Sequence, residues 1–174
     1  TVAGKTNPET LRQLVNPDMT DVQAAEISRH KEERYREQYR PKMEPLKGLV
    51  PLLQQARELG MSLAVATAAG GENVKFIMNG LALWDYFDAV VGADDVEGGK
   101  PHPDRFLLAA ERMGVPPENC LVFEDALTGI EAARRAGMEV IAVTTSHNID
   151  EVAHLPQVRQ AIPDFTHVTA SDFL

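Results

Sequence analysis

From Gly48 onward the chain switches repeatedly between two hydrophobic periods. Leu49 to Leu59 spaces its apolar residues at helical intervals and stops at Gly60, and Met61-Ser-Leu-Ala-Val-Ala66 then forms a short apolar run that predicts a buried strand. The exchange recurs: Glu72 to Asn79 predicts a helix ended by Gly80, and Ala89-Val-Val91 a strand. Asp104 to Met113 predicts a helix ended by Gly114, Leu121-Val-Phe123 a strand, Ala126 to Ala136 a helix ended by Gly137, and Val140-Ile-Ala-Val143 a strand. Glycine tolerates the left-handed backbone that closes a helix, so a glycine ahead of each strand marks a series of helix-to-strand connections. The pattern predicts an α/β fold, a doubly wound parallel sheet with helices on both faces. Beyond His147 it weakens to a short helix over Ile149 to Leu155 and a small edge strand at Ala161-Ile162.

Residues 1–44 differ, with two helical patterns and nothing strand-like. Pro8 to Val15 follows Asn7, a candidate N-cap with proline at the first helical position. A longer helix opens near Thr20-Asp21 and runs to Arg40, where Pro41 and Pro45 break it. The expected division is a small helical domain over 1–44 and an α/β core over 45–174.

Composition narrows the function without naming it. A chain of 174 residues, 44% hydrophobic and 25% charged, is that of a globular protein with a sizeable core. A net charge of −9 argues against a nucleic-acid or anionic-membrane surface, because such partners are held mainly by basic patches. Basic residues between Arg29 and Lys42 are interleaved with Glu32, Glu33 and Glu37, the pattern of a solvated helix face. No apolar run reaches membrane-spanning length and no leader-like pattern opens the chain, so a cytoplasmic protein is expected, with no membrane partner and no stated oligomeric state. The single cysteine, Cys120, lies in an apolar stretch and reads as a buried structural thiol.

In open α/β sheets the ligand site lies beyond the carboxyl ends of the strands. The run Met61–Ala66 ends in Thr67-Ala68-Ala69-Gly70-Gly71, Leu121–Phe123 ends in Glu124-Asp125, and Lys100-Pro101 follows Ala89–Val91. A hydroxyl with mobile amides, a cation and two adjacent carboxylates are what a phosphate with bound Mg²⁺ needs. Each alone has an ordinary reading: a threonine after a strand often caps a helix, and a lysine in a turn is commonplace. His102, between two prolines, reads as solvent-facing. Trp84, Tyr86 and Phe87 read as packing under the sheet, and Asp94 and Asp95 as turn or helix caps.

In order and position together, Val65-Ala-Thr67, Gly99-Lys100-Pro101-His-Pro103-Asp104 and Phe123-Glu-Asp-Ala-Leu-Thr-Gly129 resemble the second, third and fourth motifs of the haloacid dehalogenase superfamily. Within it the chain most resembles the beta-phosphoglucomutase-like phosphatases and mutases. The resemblance implies a Rossmann-like core with a helical cap, of which residues 1–44 are the C-terminal part. It also implies Mg²⁺-dependent phosphoryl transfer from a small phosphorylated metabolite, in particular a sugar phosphate. Thr67, with the Ala68 and Ala69 backbone, would hold the phosphoryl oxygens, Lys100 would neutralise charge, and Glu124 and Asp125 would bind Mg²⁺. The Gly4-Lys5-Thr6-Asn7 stretch matches a substrate-contacting loop, with Asn7 where the mutase pattern has arginine, and Lys31 falls where the mutase has a phosphate-binding lysine.

The family's first motif, Asp-x-Asp at the end of the central first strand, occurs nowhere in the chain. The expectation is that tens of N-terminal residues carrying that strand are absent from this sequence. Supply by another chain, and a pseudoenzyme that binds without turnover, are the alternatives. A phosphomutase is the enzymatic alternative to the phosphatase.

Overall fold

The computed structural model describes residues 7–173. Two helices come first, α1 (Asn7–Leu14) and α2 (Asp21–Tyr39). α2 starts where a reciprocal cap fixes it: Thr20 Oγ1 accepts from Gln23 N at 3.3 Å and Gln23 Oε1 accepts from Thr20 N at 3.0 Å. Its exposed face carries pairs such as Arg29–Glu33 at 2.7 Å, while Ala24 is fully buried. α1 takes in Asn7 itself rather than using it as the cap residue.

The α/β part runs α3 (Leu49–Glu58), β1 (Ala64–Ala66), α4 (Gly71–Gly80), β2 (Ala89–Val91), α5 (Asp104–Met113), β3 (Leu121–Glu124), α6 (Leu127–Arg135), β4 (Glu139–Val143), α7 (Ile149–Val152) and β5 (Val158–Ile162). All pairings are parallel, as the sequence predicts, and Gly60, Gly114 and Gly137 take left-handed backbone after their helices. β1 is shorter than Met61–Ala66, because its partner β2 opens only at Ala89; before that, the Asp88 carboxylate takes the Leu63 N–H at 2.9 Å. β5 is longer than the two residues expected. Gly80 stays inside α4, and the positive φ falls on Ala82 (53°). A Cβ at position 80 would overlap the Met43 thioether, the flexible end of that side chain, which would have to shift.

Hydrogen bonding divides the strands into two sheets, β1–β2 and β3–β4–β5. The outer side of β2 is closed by α5, where Arg112 Nη1 donates to the Val90 carbonyl at 2.7 Å and Arg105 Nε to Gly92 at 3.4 Å. β1 and β3 therefore each have a strand on one side only, and the division falls between the strands ending at Thr67 and at Glu124. Val140 and Ile141 of β4, flanked on both sides, are 0% exposed; Phe123 of β3 is 37% exposed, with Phe165 and Phe173 edge-on to its ring at 5.5 and 5.4 Å. α6 fixes the main core through Ile130, Ala132 and Ala133 against β4. A second cluster joins α3 to Ile141, Ile162 and Phe165, and a third sits between α3 and α4.

Of the aromatic trio, Tyr86 and Phe87 pack on the third cluster as expected, but Trp84 is 41% exposed, its indole N–H donating to Asn79 Oδ1 at 2.7 Å. Cys120 is half-buried rather than buried, its thiol pushed up by burial and then by Glu118. No helix among the described residues is long and apolar enough to cross a membrane.

Candidate functional site

Polar turns follow the carboxyl ends of β1, β2 and β3. After β1, Thr67 N donates to the Val91 carbonyl at 2.9 Å, which carries the pairing one residue beyond the strand. Thr67 Oγ1 accepts from Ala69 N at 3.1 Å, so a lone pair is used within the turn and the hydroxyl proton stays available to donate. Ala68 is exposed and Ala69 half-buried, and α4 begins immediately afterwards. Asp94 Oδ2 accepts from Gly71 N at 3.1 Å and Asp95 Oδ2 from Gly92 N at 2.8 Å, so both carry out the capping duty expected of them. Arg112, and then the Gly92 amide, hold the Asp95 carboxyl below the usual range.

Lys100 links the two sheets. From the loop after β2 its Nζ reaches Glu124 Oε2 at the end of β3, 2.5 Å away, with side chains only 13% and 9% exposed. The same ammonium lies 5.1 Å from the centre of the Phe106 ring. Glu124 folds back so that its other oxygen accepts from Ala126 N at 3.1 Å. That path is open only because residue 129 is glycine; a Cβ there would overlap the Glu124 Cγ, Cδ and Oε1.

Asp125 turns the other way. Its Oδ2 accepts from Thr145 Oγ1 at 3.1 Å and from Ser146 Oγ at 2.5 Å, both in the loop after β4. Glu124 and Asp125, expected to act as a pair, thus have different partners. Thr145 and Ser146 follow β4 as Glu124-Asp125 closes β3, and that position after a strand is their signal in the sequence.

α2 forms the opposite wall. Lys31, Glu32 and Tyr35 line a cavity of about 450 Å³ with Thr67, Ala69, Asn73 and the apolar Val65, Val74, Ile77 and Met78. Lys31 pairs with Glu32 at 2.9 Å. Burial, then Tyr39 and Glu32, raise the Tyr35 phenol. Asn73 accepts from Arg36 Nη1 at 2.8 Å and donates to Glu32 Oε2 at 2.5 Å. Glu32, Tyr35, Arg36 and Asn73 escaped the sequence reading because polar residues on helices look like solvated surface.

The structure therefore brings Thr67 and Ala69 together with Lys31, and Lys100 together with Glu124, with Asp125 next in sequence. Gly4, Lys5 and Thr6 lie outside the described residues, as does the side chain of Asn7. His102 is exposed, as expected.

The family described as haloacid dehalogenase-like hydrolase matches residues 1–143. Fructose-1-phosphate phosphatase YqaB of Escherichia coli is 39% identical over 132 residues, which cover 75% of this chain and 68% of that protein. The chain spans about half the length of other curated relatives it matches, 50% and 46% for two of them. Among solved structures, a HAD hydrolase of family IA, variant 3, from Entamoeba histolytica superimposes with a TM-score of 0.87 at 26% identity, covering 99% of this chain and 78% of that one. A beta-phosphoglucomutase from Clostridium difficile gives 0.82 at 21% identity, over 98% and 76%, a likeness of fold.

Proposed function

This chain belongs to the haloacid dehalogenase-like hydrolase family, and on that premise we propose that it carries the phosphate- and Mg²⁺-binding site of a phosphatase for a small phosphorylated metabolite, in particular a sugar phosphate. The observation that carries the reading is the nearly buried Lys100–Glu124 bridge, which joins the loop after β2 to the carboxyl end of β3, with Asp125 next in sequence. Thr67 donates its hydroxyl proton to a phosphoryl oxygen, and the adjoining Ala68 and Ala69 backbone shapes the turn around it. Lys100 supplies positive charge, with Glu124 holding the ammonium in place. Residues 1–44 act as part of a cap whose wall, Lys31, Glu32 and Tyr35, faces the rest of the substrate and excludes water.

The donor set suits Mg²⁺. Among the described residues no three His, Cys, Asp or Glu side chains cluster as a cage. Mg²⁺ does not need one, since it keeps water and substrate oxygens beside one or two carboxylates. Asp125 is the carboxylate that would hold it, with Glu124 beside it in sequence. When bound, the ion would offset phosphate charge.

The relative named a fructose-1-phosphate phosphatase supports a sugar phosphate as substrate. Phosphate release from a panel of sugar phosphates, with and without Mg²⁺, tests the reading. Without Asp-x-Asp, the 174-residue chain is expected to bind phosphate and not to turn over. Whether the reading frame upstream of Thr1 encodes that motif separates a phosphatase from a phosphate-binding protein. A sugar-phosphate isomer formed without free phosphate would assign a mutase instead.

A further inference from the structure

Glu32 and Arg36 stand one turn apart on α2, at the spacing where opposite charges usually pair with each other. Here both also reach across to the Asn73 amide on α4, Arg36 donating to its oxygen at 2.8 Å and Glu32 accepting from its nitrogen at 2.5 Å. The polarity fits one orientation only, because a flipped amide would set NH₂ against guanidinium and oxygen against carboxylate. Asn73 belongs to the first turn of α4, where its N–H and that of Val74 both bond the Gly70 carbonyl at 3.0 and 3.1 Å, so it is fixed to the turn that starts at Thr67. Glu32 and Asn73 also line the cavity together with Lys31, Tyr35 and Thr67.

We propose that Asn73 is a positioning residue whose amide clamps α2 over the Thr67 turn. By fixing the height of the cavity, it selects the length of the phosphorylated compound that fits between Thr67 and the Lys31–Glu32–Tyr35 wall. The role in selection rests on the function proposed above; the clamp itself does not.

The test measures docking without any substrate. Spin labels placed by Arg29→Cys and Lys75→Cys, in a Cys120→Ala background, report the separation of α2 from α4. The parent is expected to give one narrow distance. Asn73→Leu keeps the volume and removes both hydrogen bonds, and the undocked, longer-distance population is expected to rise about tenfold. Glu32→Gln combined with Asn73→Asp restores both bonds with donor and acceptor exchanged on the residue-32 side, and should return the narrow distance. An unchanged distribution in Asn73→Leu overturns the clamp, and so does a double variant that stays as open as Asn73→Leu. Either result leaves the phosphatase reading standing, whereas failure of inorganic phosphate to bind the parent would overturn that reading and not the clamp.

Discussion

Replacing Gly129 with alanine puts a methyl group where the Glu124 side chain lies, overlapping its Cγ, Cδ and Oε1. The backbone accepts the change, since residue 129 is inside α6 and alanine is favoured over glycine there by about 1 kcal/mol. Glu124 is the group that must move, and with it goes the 2.5 Å contact to Lys100. Both side chains are nearly buried, and separating such a pair leaves a charge uncompensated at a cost of about 3 kcal/mol. The net loss is about 2 kcal/mol, readable from urea unfolding. The decisive comparison is the same substitution in a Glu124→Ala background, where the obstructed side chain is gone and Gly129→Ala should be neutral or stabilising by up to about 1 kcal/mol. Equal destabilisation in both backgrounds would refute the reasoning, because the cost would then come from α6 packing.

Lys100→Ala should cost about 3 kcal/mol in urea unfolding, because it leaves Glu124 without its cation, and should abolish phosphate binding measured by calorimetry. Gly48 has φ of 78° and a Cβ there would meet the Phe165–Thr166 backbone, so Gly48→Ala should destabilise by more than about 1 kcal/mol, again by urea unfolding. Glu131 accepts from Arg134 and Arg135, which hold its carboxyl down from 4.5 to about 2. A depressed folded-state value means that its stabilising effect is complete above about pH 4.5 and disappears as pH falls toward 2, so Glu131→Gln should flatten that part of the stability profile. A carboxyl NMR titration placing Glu131 near 4.5 would show that the pairs do not form.

Much of the fold could be read from chain punctuation. Gly60, Gly114 and Gly137 end helices because their backbones must turn left-handed, and the apolar run Val140–Val143 is the interior strand because both its neighbours pair with it. Local pattern is not enough where tertiary contacts decide. The apolar residues Met61 and Leu63 look like strand, but a strand extends only as far as its partner, and Asp88 ends the pairing. Gly80 looks like a helix stop, yet it lies inside α4 and the positive φ falls on Ala82. In the candidate site, Thr67 directly follows β1, Glu124 ends β3 with Asp125 after it, and Lys100 lies in the loop after β2, which is the placement that singles them out in the sequence. Their partners are less legible there: Gly129 reads as an ordinary motif glycine until the path of Glu124 is known, and Asn73 as surface until α2 is docked.

The central claim, that these turns form one phosphate- and Mg²⁺-binding site, is tested most directly by calorimetric titration of the chain with inorganic phosphate, with and without Mg²⁺. The account expects phosphate to bind, Mg²⁺ to tighten binding, and Asp125→Asn to remove the effect of Mg²⁺ while leaving some of the binding supplied by Thr67 and Lys100. Phosphate affinity that is indifferent to Mg²⁺ and unchanged in both Asp125→Asn and Lys100→Ala would contradict it.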